Sequence, residues 1–173
     1  MKKTVFVLAL LMAAAAVFAQ KAGNKIQFST KDLTGATVTD QRFSENRLTM
    51  INVWGTFCPP CIREMPDLAK LSEANKAKGV EVLGLVIDLT DRKGAVLEKQ
   101  RKDADSIISQ TGASYTHLVP TPAMMGGFLR GVQVVPTTIF VDKNGKQVGD
   151  AYMGARSQAD WQKIIDSLLA KVH

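Results

Sequence analysis

Two apolar segments separated by a helical pattern are the feature that most narrows the fold of this chain. The segments LTMINVW (48–54) and VEVLGLVID (80–88) are nearly continuous apolar runs, as expected of strands buried on both faces. Between them, apolar residues recur at helical spacing: Ile62, Met65, Leu68 and Leu71. Gly79 stands where the C-terminal cap of that helix belongs. Strand, helix and strand with short joints predict a parallel βαβ unit.

The rest of the chain adds elements on both sides of this unit. Residues 26–43 alternate around a Thr-Gly turn and predict an N-terminal hairpin. Downstream we expect a charged helix over 92–110, anchored by Val96, Ile107 and Ile108, then a strand over 115–119 and a short helix over 123–130.

The C-terminal part carries the clearest signals. Residues 137–142 predict a strand, the Asn-Gly turn after it predicts a hairpin with 147–153, and Ser157 with Asp160 forms a capping box before a final apolar stripe. The stripe comprises Trp161, Ile164, Ile165, Leu168, Leu169 and Val172. We therefore predict an α/β fold with a mixed central sheet flanked by helices.

The N-terminus carries the pattern of an export signal. Lys2 and Lys3 precede an uncharged apolar run that is shorter than the roughly 20 residues needed to span a bilayer. Residues 17–19 offer the small or modest side chains that a signal peptidase reads, so we predict a signal peptide over 1–19 and one domain over 20–173. The protein is then exported, to the periplasm or another extracytoplasmic space, and is membrane-anchored if the segment is retained.

The charge of the chain gives no sign of a nucleic-acid partner. The net charge of +6 falls to +4 without Lys2 and Lys3, and the lysines are scattered. A basic stripe with interleaved aromatic residues, typical of a nucleic-acid surface, is absent from the sequence.

The only two cysteines, Cys58 and Cys61, flank Pro59 and Pro60 directly after the first apolar segment. A structural zinc site needs four ligands, and the two histidines of the chain are single and far apart. A purely structural disulfide would close so small a loop that it would add little stability. The interpretation that remains is a redox pair, which export favours because oxidising compartments let disulfides form.

The predicted helix gives the two cysteines different roles. At the helix N-terminus, the partial positive charge favours the Cys58 thiolate, which makes Cys58 the nucleophile. Cys61 would lie one turn inside, shielded, and would resolve the mixed disulfide. A C-x-x-C motif beside a βαβ pattern is a recognised signal for this chemistry.

These residues also carry a family resemblance. The segment NVWGTFCPPC resembles the thioredoxin superfamily and, with the signal segment, its TlpA/ResA-like extracytoplasmic thiol–disulfide oxidoreductases. The resemblance covers nearly all of 20–173 and implies the thioredoxin fold, with an N-terminal hairpin and a central helix–strand insertion over about 90–119.

The resemblance implies further site residues. Pro66 matches the proline inside the active-site helix, and Pro136 in VVPTTIF matches a proline whose bond after Val135 is cis and faces the disulfide. That loop offers backbone groups to an extended substrate. Glu64 matches the buried acid that tunes the cysteines and shuttles protons in ResA-like proteins. The active-site loop, expected to contact clients, comprises Trp54, Phe57, Pro59, Pro60, Val135 and Pro136.

Two positions depart from the thioredoxin pattern. Asn52 stands where thioredoxins carry a buried Asp and cannot act as a base, so Glu64 becomes the candidate for proton transfer. A solvated Glu64 is the alternative, because most glutamates are exposed. Phe57 stands where Trp is usual and would wall the site without an indole N–H.

The prolines between the cysteines indicate the direction of electron flow. Pro59 and Pro60 have no N–H, so Cys61 offers the first backbone donor to the Cys58 thiolate. We expect a less depressed pKa of Cys58 than in strongly oxidising proteins, and hence a reductase of client-protein disulfides. A disulfide oxidase or isomerase would use the same residues and is the alternative enzyme.

A copper-delivery protein that holds the metal through the two cysteine thiolates is the alternative outside that class, and the distant His117 is weighed as a further copper ligand. Copper-carrying relatives space their cysteines by three residues, whereas two separate them here. A third alternative is a binding module with an inert disulfide.

The expected partners are clients with disulfides and an upstream dithiol donor, in the membrane or soluble; no bound organic cofactor and no metal are expected. Cytochrome c maturation enters only as a family analogy.

Overall fold

The computed structural model describes residues 25–172. The predicted signal segment, 1–19, lies outside these residues. Within them, no helix combines the length and the apolar composition needed to cross a bilayer.

A five-stranded mixed sheet forms the centre of the molecule, in the order β5-β4-β3-β6-β7. Its strands are β3 (Leu48–Trp54), β4 (Val80–Val86), β5 (Thr116–Leu118), β6 (Thr137–Asp142) and β7 (Tyr152–Met153). Strands β3, β4 and β5 are parallel, whereas β6 and β7 continue the sheet antiparallel. The predicted βαβ unit is confirmed, and a separate antiparallel hairpin is formed by β1 (Ser29–Lys31) and β2 (Thr37–Thr39).

In the described part of the chain, four α-helices flank the sheet: α1 (Pro59–Asn75), α2 (Glu98–Thr111), α3 (Pro122–Gly126) and α4 (Gln158–Leu169). Short 3₁₀ turns cover 40–45, 76–78 and 128–131. Gly79 caps the end of the α1 segment in the left-handed region, with a φ of 75°. Ser157 caps α4, accepting a hydrogen bond from the Asp160 N–H as its sequence pattern predicts.

The two faces of the sheet are covered differently. Alternate residues of β3 and β4 pack against the three long helices, α1, α2 and α4, which share one face. The other face is covered by the N-terminal hairpin and the short α3 segment. Period-two alternation along the strands separates these two layers of core. The disulfide-bearing end of α1 therefore lies on the face with the long helices.

Three boundaries differ from the sequence expectation. Helix α2 begins at Glu98 rather than 92, and Val96 is exposed in a turn, paired with Thr90 by one bridge. The short helix splits into α3 and a 3₁₀ turn around Gly127. The hairpin partner of β6 shrinks to β7 and a single bridge at Gln147, because the chain turns at Gly149 with a φ of 73°.

Candidate active site

The two cysteines form a disulfide at the N-terminus of α1, with their Cα atoms 5.3 Å apart. Cys58 is the N-cap residue, and its Sγ accepts a hydrogen bond from the Cys61 N–H at 3.2 Å. Pro59 and Pro60 occupy the first two helical positions, where they contribute no N–H. Cys58 is 4% exposed and Cys61 is 1% exposed, so both cysteines are buried and the first is slightly the more accessible residue.

A loop from the other side of the sheet faces this disulfide. The Val135–Pro136 bond is cis, as the resemblance implies, and the Val135 carbonyl oxygen lies 3.6 Å from the Cys58 Sγ. The Thr137 hydroxyl donates to the Val134 carbonyl at 2.7 Å, and the Gly154 N–H donates to the Pro136 carbonyl at 2.9 Å. These bonds anchor the loop to β6 and to the turn that follows β7.

The segment before Cys58 is held by an acid that the sequence analysis missed. Asp88 accepts hydrogen bonds from the Thr56 N–H at 3.0 Å and from its hydroxyl at 2.5 Å. The sequence could have predicted this contact, because Thr56 and Asp88 follow two neighbouring parallel strands. The carboxyl ends of such strands meet at one edge of the sheet. Phe57, in this anchored segment, is 66% exposed beside Cys58.

Trp54 requires a correction. It was expected in the client-contacting loop, but it ends β3 with no exposed surface and packs in one apolar cluster with both cysteines. The physical reason is strand alternation, which turns its side chain into the layer under the long helices. Its indole N–H donates to the Nδ1 of His117 at 3.2 Å. Trp54 supports the disulfide from below instead of meeting a client.

His117 is occupied on both ring nitrogens. The Nε2 donates to the Ala113 carbonyl at 2.8 Å, and burial lowers the pKa of the ring to about 4. Between residues 25 and 172, no group of three or more His, Cys, Asp or Glu side chains is arranged to hold a metal ion.

Glu64 is buried, with 3% of its surface exposed, so the alternative of a solvated glutamate is excluded. Its Oε1 accepts a hydrogen bond from the Trp161 indole N–H at 2.9 Å, while its Oε2 has no hydrogen-bond partner among residues 25–172. Burial raises the pKa of Glu64 to about 7, although the Trp161 N–H and the nearby Arg156 act to lower it. A buried carboxyl that titrates near neutral pH is suited to move a proton.

The cover over Glu64 comes from the C-terminal part of the chain. The Arg156 guanidinium lies 5.0 Å from the ring centre of Trp161 and 5.3 Å from that of Tyr152. It also donates to the carbonyls of Met153 and Gly154, beside the loop that carries Pro136. Sequence reasoning placed Trp161 in an apolar stripe, and its polar role was missed.

Two further positions singled out by sequence lie where expected. Asn52 is buried in β3, and its side-chain amide donates to the Thr138 hydroxyl at 3.1 Å. Pro66 lies inside α1. Neither side chain supplies a base to the disulfide, which leaves Glu64 as the buried acid of this region.

Comparison with known proteins agrees with this geometry. The chain matches the family model described as Redoxin over residues 21–160. Thiol-disulfide oxidoreductase ResA from Halalkalibacterium halodurans is 30% identical over 71% of this chain, and the match spans 63% of that relative's length. Thiol:disulfide interchange protein HelX from Rhodobacter capsulatus is also 30% identical. The match spans 78% of this chain and 68% of the length of HelX.

A solved structure shows the same fold. The crystal structure of a thiol:disulfide interchange protein of the thioredoxin family from Chlorobium tepidum superposes with a TM-score of 0.67. The two sequences are 22% identical, and the superposition covers 83% of this chain and 93% of the Chlorobium tepidum chain. The mixed sheet flanked by helices is thus a thioredoxin fold, as the sequence predicts.

Proposed function

We propose that this chain, which belongs to the Redoxin family and to the TlpA/ResA-like group of the thioredoxin superfamily, is a thiol–disulfide oxidoreductase that acts through Cys58 and Cys61. One observation carries the proposal: a disulfide at a helix N-terminus whose first sulfur lies 3.6 Å from the carbonyl oxygen of Val135. That carbonyl belongs to the backbone that an extended client would meet beside the sulfur.

The proposed cycle transfers two electrons to a client. The Cys58 thiolate attacks one sulfur of a client disulfide, forms a mixed disulfide and releases the other client sulfur as a thiolate, which takes a proton from water. The Cys61 thiolate then attacks the Cys58 sulfur, and the first client sulfur leaves. The client ends reduced, and the chain ends with the Cys58–Cys61 disulfide. An upstream dithiol, in the membrane or soluble, reduces the pair again, and no bound organic cofactor is needed.

Glu64 is the proposed proton acceptor for Cys61. The attack of Cys61 requires its thiolate, and a carboxyl whose pKa is about 7 accepts a proton without holding it tightly. Its free Oε2 leaves one oxygen available for this transfer.

The proposed direction is reduction of clients. Among the helix N–H groups, the side chain of an N-cap residue accepts from the second or third position. Here Pro60 removes the second, and only the Cys61 N–H reaches the Cys58 sulfur. Weak stabilisation of the thiolate destabilises the reduced pair and favours electron donation. A reduction potential near the strongly oxidising end, around −120 mV, would overturn this direction and favour an oxidase.

The experiment that tests the exchange itself is a trap. Cys61→Ser protein should accumulate clients as mixed disulfides on Cys58, and mass spectrometry would identify them. The matched control is Cys58→Ser, which keeps one thiol but lacks the nucleophile and should trap nothing. Equal trapping by both variants would contradict the assigned roles. Full function of Cys58→Ser in the cell would favour a binding module with an inert disulfide.

The hydrogen bonds on both nitrogens of His117 argue against this residue as a copper ligand. Copper delivery through the two thiolates is tested by anaerobic copper titration of the reduced protein, where tight stoichiometric binding without disulfide reduction would favour it. Export remains a proposal from the sequence of 1–19. N-terminal sequencing of the mature protein should begin at Gln20, and a cytoplasmic protein with an intact N-terminus would contradict it.

A further inference from the structure

We propose that His117 is a positioning residue that locks Trp54 beneath the redox pair and so keeps Cys61 closed to solvent. His117 comes from β5, the strand added by the central insertion, whereas Trp54 belongs to the strand that leads into the cysteines. The inserted segment then takes part in shaping the active site. The biological role of this contact rests on the exchange function proposed above, whereas the contact itself is inferred from the structure alone.

The hydrogen bonds fix the orientation of both rings. The Ala113 carbonyl only accepts, so the Nε2 of His117 carries the proton, and the Nδ1 presents a lone pair. That lone pair accepts the indole N–H of Trp54 at 3.2 Å. The ring stays neutral at ordinary pH because burial lowers its pKa to about 4. One imidazole therefore ties the active-site strand to the loop between α2 and β5.

The surroundings of His117 are shaped to hold it in place. Gly84 on β4 lies under the ring, and a Cβ added there would lie 2.1 Å from the Nδ1. On another side, the Tyr115 ring packs with its centre 4.6 Å from that of the imidazole, at an angle of 32°. The ring of Trp54 meets it edge-on at 5.6 Å. The imidazole fits at this place only because residue 84 is glycine. This close fit indicates that the packing of His117 against β4 is specific.

Trp54 connects this arrangement to the sulfurs. It packs in one buried cluster with Cys58, Cys61 and Met65. Cys61 is 1% exposed, so a reagent reaches its thiol only when the surrounding packing opens. A buried indole N–H that loses its acceptor must move or remain unsatisfied, which favours the open state.

The test measures how fast iodoacetamide alkylates Cys61 in Cys58→Ser protein, where Cys61 is the only thiol. In this background, His117→Leu should raise the alkylation rate about tenfold, the factor that corresponds to about 1.4 kcal/mol for an unsatisfied buried donor. His117→Gln, which retains an acceptor and a donor, should remain near the rate of the Cys58→Ser parent. Ser114→Ala, an exposed change in the same segment, serves as the matched control and should leave the rate unchanged.

A double-mutant cycle separates positioning from general destabilisation. In Trp54→Phe protein the indole N–H is gone, so adding His117→Leu should produce no further increase. If His117→Leu does not fold, His117→Asn, whose amide is too short to reach the indole, takes its place. An unchanged rate in a folded variant, or an equal increase in the Trp54→Phe background, would overturn the proposal. Because the readout is alkylation of one thiol and needs no client, it is independent of whether the exchange function holds.

Discussion

Replacing Glu64 by Gln should change how the stability of the oxidised protein depends on pH. Glu64 is 3% exposed, and burial raises its pKa from 4.5 to about 7. An acid with a raised pKa in the folded state binds its proton more tightly there than in the unfolded chain. The native protein therefore holds more protons than the unfolded chain between these two values, and its free energy of unfolding falls as pH rises.

The magnitude follows from the two pKa values. A shift from 4.5 to about 7 corresponds to roughly 3 to 4 kcal/mol, because one pKa unit is worth about 1.4 kcal/mol. Only part of this free-energy change falls within the pH range that is convenient for unfolding, and we expect roughly 2 to 3 kcal/mol between about pH 5 and pH 8. Solvent screening takes little from this value because the carboxyl is buried.

The assay is urea unfolding of the wild type and of Glu64→Gln, both with the disulfide intact. Glutamine keeps an acceptor for the Trp161 N–H but does not titrate, so the wild type should lose roughly 2 to 3 kcal/mol relative to the variant as pH rises from about 5 to 8. Glu73→Gln, an exposed change on the same helix, is the matched control and should follow the wild type. Parallel curves for the wild type and Glu64→Gln would refute a perturbed carboxyl at this position.

Two more predictions concern the segment around Cys58. Pro60→Ala should add a backbone N–H facing the Cys58 sulfur and raise the reduction potential by about 30 mV, as measured in a glutathione redox buffer. Pro59→Ala, at the first helical position, is its control, and equal shifts in both variants would contradict the single-donor geometry. Gly55→Ala should displace Phe57, because the new Cβ would lie 2.6 Å from the Phe57 Cε1. We expect a higher KM for insulin reduction, and an unchanged KM would show that Phe57 does not contact the client.

Local patterns predicted the framework of this protein well. The βαβ unit, the placement of Cys58 before α1 and the caps at Gly79 and Ser157 all depend on residues close together in the chain. Propensity, periodicity and capping chemistry act over that range. The early start predicted for α2 failed because the charged residues before Glu98 fit a turn as well as a helix.

The polar contacts behind the disulfide could not be predicted in this way. Trp161 reaches Glu64 across 97 positions of the chain, and His117 reaches Trp54 across 63. In the sequence, Trp161 belongs to an apolar stripe and His117 is a lone histidine. Only the tertiary packing reveals that the ring nitrogens of these residues have partners. The resemblance supplied Glu64 and Pro136, but it named neither the indole that meets the acid nor the imidazole behind Trp54.

The two prolines between the cysteines affect the reduction potential of the disulfide without contributing to the packing of the core. Pro59 is exposed and Pro60 is only partly covered, and neither belongs to the apolar clusters of the core. Their substitution therefore alters the donors available to one sulfur while leaving the packing of the sheet and helices intact. Evolution could therefore adapt proteins of this fold to a more oxidising or a more reducing compartment by substituting these two residues. The core packing beneath them would not have to change.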